Sequence, residues 1–260
     1  MNRYMINEGY LPLEEFVLGL PKSFDGIGEI ILNNRNVIKK VATPQGTFVI
    51  KNFKGMYFFN RLAYSLFRKS KAERSYLYSL RLRDKGILTP PPVAWIDCYR
   101  WGLLTDSYFI SAYYPSKTLS QIFKEPGLDD YEAKKTLYKR LASFALTLHR
   151  LDIYHDDFSS GNILIIDNPD SFSFALVDLN RVLFRKVSYR DGLQNFAKLG
   201  VPKEDLNMLI REYAILSGQP IDNSIDAYWA TKKRSDFVRS LRKNIRRYTL
   251  TPLEQIVGGK

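Results

Sequence analysis

The sequence predicts an α+β chain of two lobes, with an antiparallel five-stranded sheet in residues 1–114 and a mainly helical lobe in residues 115–260. Two observations predict this division. Up to Tyr114, short β-rich runs alternate with turn-forming clusters around one long helical stretch, and after Pro115 apolar residues recur at helical spacing. With 260 residues and 45% hydrophobic content, the chain can bury a full core.

Tight turns connect the strands expected in the first lobe. Asn33–Asn36 and Thr43–Gly46 consist of turn-forming residues and separate the first three strands, which predicts an antiparallel meander. A helical stretch from Tyr57 to Lys85 follows, and it ends at Gly86 before three consecutive prolines. The expected strands are Glu29–Asn33, Val37–Val41, Thr47–Phe53, Val93–Tyr99 and Ser107–Tyr114.

The second lobe is expected to be helical around two short buried strands. Apolar residues at helical spacing run through Asp130–Arg150. Asn162–Ile166 and Phe174–Val177 are short apolar runs that predict strands, and the remainder of the chain to Tyr248 is mainly helical.

Charge and cysteine content limit the class of protein. The formal net charge of +12 suits an anionic partner, such as a nucleic acid, an anionic membrane or a phosphorylated substrate, and a charged surface without a partner explains it equally well. Cys98 is the only cysteine, which excludes an intramolecular disulfide and a thiolate metal cluster. We find neither a secretory signal nor a membrane-spanning run, and expect a cytoplasmic protein.

The segment Tyr154–Ile165 carries the strongest chemical signal. It contains His155, Asp157 and Asn162 in the pattern His-x-Asp-x-x-x-x-Asn before an apolar strand, which resembles the catalytic loop of the protein-kinase-like superfamily. Such an aspartate can accept the proton of an attacking hydroxyl, and the asparagine can reach a magnesium ion on the phosphates. His155 would support the loop without transferring protons. The alternative is an ordinary loop with a capping aspartate and a Gly-Asn turn.

A second acidic residue follows shortly after the catalytic loop. Ala175–Arg181 ends an apolar strand in Asp178, and it looks like the superfamily's Asp-Phe-Gly with Leu179 and Asn180 in place of Phe and Gly. Asp178 would bridge a metal ion to the β- and γ-phosphates of ATP. A strand-end cap is the alternative, but the spacing from the catalytic loop favours the metal role.

A lysine for the α- and β-phosphates is expected on the third strand. Phe48–Lys51 resembles the kinase motif Val-Ala-Ile-Lys, and strand periodicity places Lys51 on the face opposite to Ile50 and Asn52. Lys54 is the fallback candidate, and a solvated edge lysine is the alternative to both.

The lysine of a kinase needs a carboxylate from the helix that follows. Glu73 is the only glutamate on the predicted helix, so we expect it to pair with Lys51. An exposed pair of Glu73 with Arg74 or Lys69 is the alternative. The adenine site would lie at the hinge between the lobes, where we expect contacts from the backbone of Ala112, Tyr113 and Tyr114.

Two features of eukaryotic protein kinases are missing. No Gly-x-Gly-x-x-Gly lies between the first two strands, where the Asn33–Asn36 turn takes its place, and no Ala-Pro-Glu follows Asp178. Asparagine tolerates positive φ, so a tight turn can still form. These departures argue against a dedicated protein serine/threonine kinase and leave open how the phosphates are covered.

Together the motifs resemble the bacterial lipopolysaccharide kinase family, the Kdo and heptose kinases of the inner core. The segments that carry the resemblance are Val49–Gly55, Gly86–Val93, Leu148–Arg150 and Val177–Arg181. The resemblance implies phosphorylation, dependent on ATP and Mg²⁺, of a sugar hydroxyl on a lipid-linked anionic glycan at the inner face of the inner membrane. No nucleic acid is expected as a partner.

Two basic segments bear on membrane contact. One lies around Phe58–Lys71, and the other is Lys232–Arg247, in which Phe237, Leu241 and Ile245 share a face. A cationic amphipathic helix can rest on anionic lipid. For both segments a core-facing stripe with a solvated charged face is the preferred interpretation.

The sequence also allows other classes of phosphotransferase. An aminoglycoside- or choline-kinase-like enzyme needs an acidic pocket for a cationic substrate, which the basic composition disfavours. An atypical RIO/Bud32-like protein kinase acting near RNA suits the charge. A pseudokinase scaffold is disfavoured because Lys51, Asp157, Asn162 and Asp178 are all retained.

Overall fold

Alternating burial along the central strands builds the main sheet. Its six strands are β1 (Arg3–Ile6), β2 (Glu29–Asn33), β3 (Val37–Thr43), β4 (Gly46–Asn52), β5 (Pro92–Arg100) and β6 (Leu103–Ala112). β3 and β4 bury every second side chain over most of their length, as expected for strands with one face on a core. All pairings are antiparallel, in the order β1-β5-β6-β4-β3-β2.

This computed structural model describes residues 2–53, 69–125, 130–168 and 171–250. The chain divides into two compact units, Met1–Glu125 with His155–Leu183, and Pro126–Tyr154 with Phe184–Lys260. The units do not follow a single division after residue 114, because His155–Leu183 groups with the N-terminal residues. The predicted helix over residues 57–68, its apolar stripe and Lys54 lie outside the described residues.

The predicted antiparallel sheet is confirmed, with one strand more than expected. The five expected strands correspond to β2 to β6. The additional strand, β1, has only four residues and they are mostly exposed. Its sequence therefore shows no alternation of buried and exposed residues from which a strand could be predicted. It pairs with β5, with Arg3 opposite Asp97.

In the described ranges, two helices pack on the main sheet. α1 (Glu14–Ser23) buries Leu20 in a core with one sheet face. α2 (Lys71–Asp84) buries Tyr76 beside Trp95 of β5 in a second core. Because side chains alternate along a strand, Trp95 lies on the face opposite to the α1 core.

The ends of α2 are defined by local chemistry. The Ser70 hydroxyl accepts a 2.9 Å hydrogen bond from the backbone N–H of Glu73, which satisfies a free donor of the first turn. At the other end Gly86 adopts φ +75°, a conformation that favours glycine. The predicted stop of the helix at Gly86 is confirmed.

A small second sheet carries the loop segments of interest. Its strands are β7 (Lys117–Thr118), β9 (Ile163–Asn168) and β10 (Ser171–Leu176), in the order β10-β9-β7, and α3 (Leu119–Ile122) follows β7. β8 (Ile153–His155) contains the start of the catalytic-loop motif, and β11 (Val182–Phe184) follows Asp178. Short 3-10 turns at Ser160–Asn162 and Leu179–Arg181 present the polar side chains between these strands.

The second unit is helical among its described residues. Its helices are α4 (Tyr131–Arg150), α5 (Tyr189–Asn195), α6 (Lys203–Leu216) and α7 (Ile221–Leu250). α4 packs on α6, and buried His149 links α4, α5 and α6, because its ring nitrogens lie 2.8 Å from Tyr213 Oη and 3.1 Å from Asn195 Oδ1.

The apolar stripe of the basic helix α7 is exposed, whereas the preferred interpretation placed it against a core. Phe237 and Leu241 were expected to face a core, but their side chains are 66% and 49% exposed. The side chain of Ile245 lies outside the described part of the helix. None of the helices in the described ranges is both long and apolar enough to cross a bilayer.

Candidate active site

An ion pair joins the lysine and the aspartate predicted to contact the nucleotide phosphates and metal. Lys51 Nζ donates to Asp178 Oδ1, and the two side chains are 13% and 20% exposed. Lys51 is opposite Ile38 on β3 and Phe109 on β6. It therefore lies on the sheet face covered by α2, opposite to Ile50, as strand periodicity predicted.

The backbone and neighbours of Asp178 fix its carboxylate. Asp178 adopts φ +56° directly before the 3-10 turn, and the side-chain amide of Asn180 donates a 2.6 Å hydrogen bond to its Oδ1. Burial raises the pKa of Asp178, but the charge and hydrogen bond of Lys51 outweigh burial and leave the pKa below its usual value. The carboxylate is therefore ionised at neutral pH.

His155 tethers the catalytic-loop motif to the strand that precedes Asp178. Its side chain is fully buried, with Nε2 3.1 Å from the carbonyl oxygen of Val177 and Nδ1 3.1 Å from the backbone N–H of Asp157. Because a carbonyl can only accept, Nε2 carries the proton and Nδ1 accepts from Asp157. Burial lowers the pKa of His155, which keeps this neutral form.

Asn162 closes the loop around Asp157. The side-chain amide of Asn162 donates a 2.9 Å hydrogen bond to the backbone carbonyl oxygen of Asp157. The backbone carbonyl oxygen of Asn162 accepts a 3.0 Å hydrogen bond from the backbone N–H of Val177. The Asp157 side chain is 29% exposed, so it can meet a substrate. The backbone of Asp157 is therefore held both by His155, which precedes it, and by Asn162, which follows it.

Arg181 is a functional candidate that the sequence motifs did not reveal. Its Nε lies 3.6 Å from Asp157 Oδ2 and 3.7 Å from Asp178 Oδ2, so the guanidinium pairs with both carboxylates. The position of Arg181 three residues after Asp178 was the available signal. It is ambiguous, because an arginine after a strand is usually solvated.

The predicted pair of Lys51 with Glu73 is not formed in this structure. Glu73 Oε1 accepts a 2.9 Å hydrogen bond from Lys69 Nζ, which was the alternative, while Lys51 binds Asp178. Lys71, the first residue of α2, instead lies near Lys51. The two ammonium groups are 6.0 Å and 5.1 Å from the ring centroid of Phe53.

The segment predicted to contact adenine continues directly from β6. The backbone N–H groups of Ala112 and Tyr113 are already engaged, since they donate to the carbonyl oxygens of Pro91 at 2.9 Å and Thr47 at 3.0 Å. The carbonyl of Tyr114 accepts from Ser116 at 2.9 Å. Of the three N–H groups, that of Tyr114 is the one without such a bond in the described part of the chain.

The side chains that could hold a metal ion suit Mg²⁺ on a nucleotide. Mg²⁺ takes oxygen ligands, usually one or two side chains completed by phosphates and water. Asp178 offers an ionised carboxylate, and Asn162, whose amide nitrogen binds Asp157, offers its Oδ1. Within the described ranges no group of three or more His, Cys, Asp or Glu could hold a metal ion. Phosphate oxygens would have to complete the coordination.

Comparisons with known proteins identify relatives of this chain. The model of the lipopolysaccharide kinase (Kdo/WaaP) family matches residues 54–213, which is more than half of the chain. A solved structure described as WaaP in complex with acyl carrier protein is similar with a TM-score of 0.59 and 16% identity, over 90% of this chain and 97% of that chain. At this identity the likeness shows the fold, which is protein-kinase-like. The search of curated proteins gave no match.

Proposed function

Because the chain belongs to the lipopolysaccharide kinase (Kdo/WaaP) family, we propose that it transfers the γ-phosphoryl group of ATP to a sugar hydroxyl of the lipopolysaccharide inner core. The acceptor would be Kdo or heptose attached to lipid A. The observation that carries the proposal is the grouping of Lys51, Asp157, Asn162 and Asp178 in one compact unit, linked by ion pairs and hydrogen bonds. Each is a residue type that phosphoryl transfer requires.

Asp157 is the proposed general base. As the sugar hydroxyl attacks the γ-phosphorus, its proton passes to the Asp157 carboxylate, the new oxygen–phosphorus bond forms, and the bond from the γ-phosphorus to the bridging oxygen of ADP breaks. ADP leaves with the electron pair of that bond. His155 and Asn162 hold the backbone of Asp157, so the carboxylate is oriented before the substrate arrives.

Lys51, Asp178 and Asn162 would bind ATP and its metal ion. Mg²⁺, when bound with ATP, would neutralise the phosphate charge and align the γ-phosphoryl group. Asp178 and Asn162 would be its protein ligands, and Lys51 would bind the α- and β-phosphates. The Tyr114 N–H would donate to adenine, with Ala112 and Tyr113 lining the same edge.

The charge and the surface of the second unit support a lipid-linked anionic acceptor. The chain carries a formal charge of +12, which favours an anionic glycan and an anionic membrane over a cationic small molecule. Phe237 and Leu241 expose apolar surface on the basic helix α7, as a helix lying on a membrane does. Peripheral contact with the inner membrane is part of the proposal.

Direct phosphorylation tests this function. Purified protein is incubated with Mg²⁺, ATP and Kdo–lipid A, and the glycolipid is analysed for the mass of one added phosphate. Asp157→Ala should abolish the product while keeping ATP binding. Asp156→Ala is the matched control, because it removes the neighbouring carboxylate without touching the proposed base.

Two results would contradict the proposal. If Asp157→Ala keeps wild-type turnover, Asp157 is not the base. If the glycolipid gains no phosphate while a protein or a small alcohol does, the chain is an atypical protein kinase or a small-molecule phosphotransferase instead. A loss of activity in both aspartate variants would instead indicate that the loop had lost its fold.

A further inference from the structure

Cationic side chains crowd the neighbourhood of Lys51. Lys71 projects from the first turn of α2 onto the Phe53 ring, on which Lys51 also lies. α2 packs against the 3-10 turn that carries Arg181. The nearby acidic side chains, Asp157 and Asp178, are already paired with Arg181 and, for Asp178, with Lys51.

Lys71 has positive neighbours and no counterion in the described part of the chain. Burial lowers its pKa first, and the charges of Arg35, Arg74, Lys51 and Arg181 lower the pKa further. No described carboxylate forms an ion pair with Lys71. Like charges this close destabilise one another, and an anion bound among them would remove that repulsion.

Arg74 adds an unsatisfied donor to the same face of α2. It follows Lys71 by three residues, so the two side chains neighbour each other on the helix surface. The Arg74 Nε is buried and has no hydrogen-bond partner among the described residues. Leaving a buried donor without an acceptor is unfavourable, so an oxygen-bearing ligand that accepts from Arg74 Nε would be stabilised here.

Arg35 comes from the place of the missing glycine-rich loop. It lies exposed in the turn between β2 and β3, and this turn is beside the end of β4 because Val37 is opposite Asn52 and Ile38 is opposite Lys51. The charge of Arg35 also lowers the pKa of Lys71. In kinases the loop at this position covers the phosphates with backbone N–H groups. An arginine here supplies the same donors from a side chain.

We propose that Arg35, Lys71 and Arg74 form a triphosphate-binding cluster that, with Lys51, holds the nucleotide phosphates in place of a glycine-rich loop. The inference rests on the proposed function, since it assigns the nucleotide to the site of Lys51 and Asp178. The cluster brings three cations to the triphosphate in addition to Lys51. It accounts for the lack of a Gly-x-Gly-x-x-Gly motif in a chain of this fold.

Titration calorimetry of the intact chain with Mg²⁺–ATP, Mg²⁺–ADP and adenosine tests the cluster. In Lys71→Met and Arg35→Met the Kd for ATP should rise about tenfold or more, the Kd for ADP should rise less, and the Kd for adenosine should be unchanged. Lys71→Arg keeps the charge and should restore most of the ATP affinity. Lys85→Met is the matched control, since it removes a lysine from the opposite end of the same helix, about 20 Å away.

The outcomes separate the cluster from the kinase assignment. If wild type prefers ATP to adenosine and the Lys71 and Arg35 variants keep that preference, the cluster is wrong and the kinase function stands. If the variants keep ATP affinity but raise KM for the glycolipid, the cations bind the acceptor, which also overturns the proposal. If wild type shows no preference for ATP over adenosine, both the cluster and the proposed function fail.

Discussion

The ammonium group of Lys51 is ion-paired with the carboxylate of Asp178, a residue 127 positions later in the chain. The pair connects β4 to the turn after β10 within one compact unit. It brings the cation proposed to bind phosphate into direct contact with the carboxylate proposed to bind metal. Ligand binding would therefore act on two groups that the fold has already placed together.

Lys51→Met should impair use of ATP more than it impairs folding. We expect kcat/KM for ATP to fall about 100-fold or more, because the change removes a preorganised charge from the phosphates. The pKa of Asp178 should also rise, since Lys51 is the main group that lowers it. Steady-state kinetics measure the first effect. Lys22→Met, at an exposed position of α1, is the control, and equal activity of the two variants would contradict the role of Lys51.

The sequence predicted which candidate residues lie together better than it predicted their contacts. Asp157, Asn162 and Asp178 are grouped as expected, because fixed spacing between short strands leaves little freedom for where they lie. Glu73 was assigned to Lys51 because it is the only glutamate on its helix, yet its carboxylate binds Lys69, four residues earlier in the chain. Which side chains of α2 reach Lys51 depends on how the helix packs against the sheet, which local sequence does not encode.

The same limit explains what the sequence missed in the fold. β1 is too short to show a period, and its place in the sheet depends on pairing with β5, about 90 residues later. The exposed apolar side chains of α7 are the opposite case. Their helical spacing was visible, but a period alone does not say whether a core or solvent lies against that face.

His155→Phe should lower kcat without a matching change in KM for ATP. The change removes the hydrogen bonds to Val177 and Asp157, so the proposed base loses its orientation. We expect kcat to fall about 10- to 100-fold. His149→Phe is the matched control, because it removes the other buried histidine from a different compact unit and should affect stability rather than kcat. A fall in kcat of equal size in both variants would contradict the positioning role.

Asp97→Asn should stabilise the protein above about pH 6. Asp97 is 1% exposed, and burial raises its pKa to about 6, although hydrogen bonds from Ser107 and Ser70 oppose the shift. The folded state therefore binds a proton more tightly than the unfolded state, and wild-type stability falls as pH rises from about 4 to 6. Above that range we expect the variant to gain roughly 1–3 kcal/mol in free energy of unfolding.

Urea unfolding across this pH range checks the sign. The difference between Asp97→Asn and wild type should be largest near pH 8 and should shrink as the pH is lowered towards the unfolded-state pKa of aspartate. A variant that is less stable than wild type at pH 8 would mean that the charged hydrogen bonds from Ser107 and Ser70 outweigh the cost of burial.

Gly192→Ala should destabilise the helical unit. A Cβ at this position of α5 would overlap Tyr213 Oη and lie 2.9 Å from His149 Nδ1, so the bond between those two side chains must open. The rings are packed against other buried groups and cannot move away freely, as shown by the stacking of Tyr213 on Tyr189. We expect a loss of about 2–4 kcal/mol in free energy of unfolding, measured by urea titration.

Gly19→Ala provides the opposite control, because a Cβ on α1 meets no atom within 4 Å and should stabilise that helix by about 1 kcal/mol. Equal effects of the two substitutions would show that the His149–Tyr213 contact does not hold α5 in place.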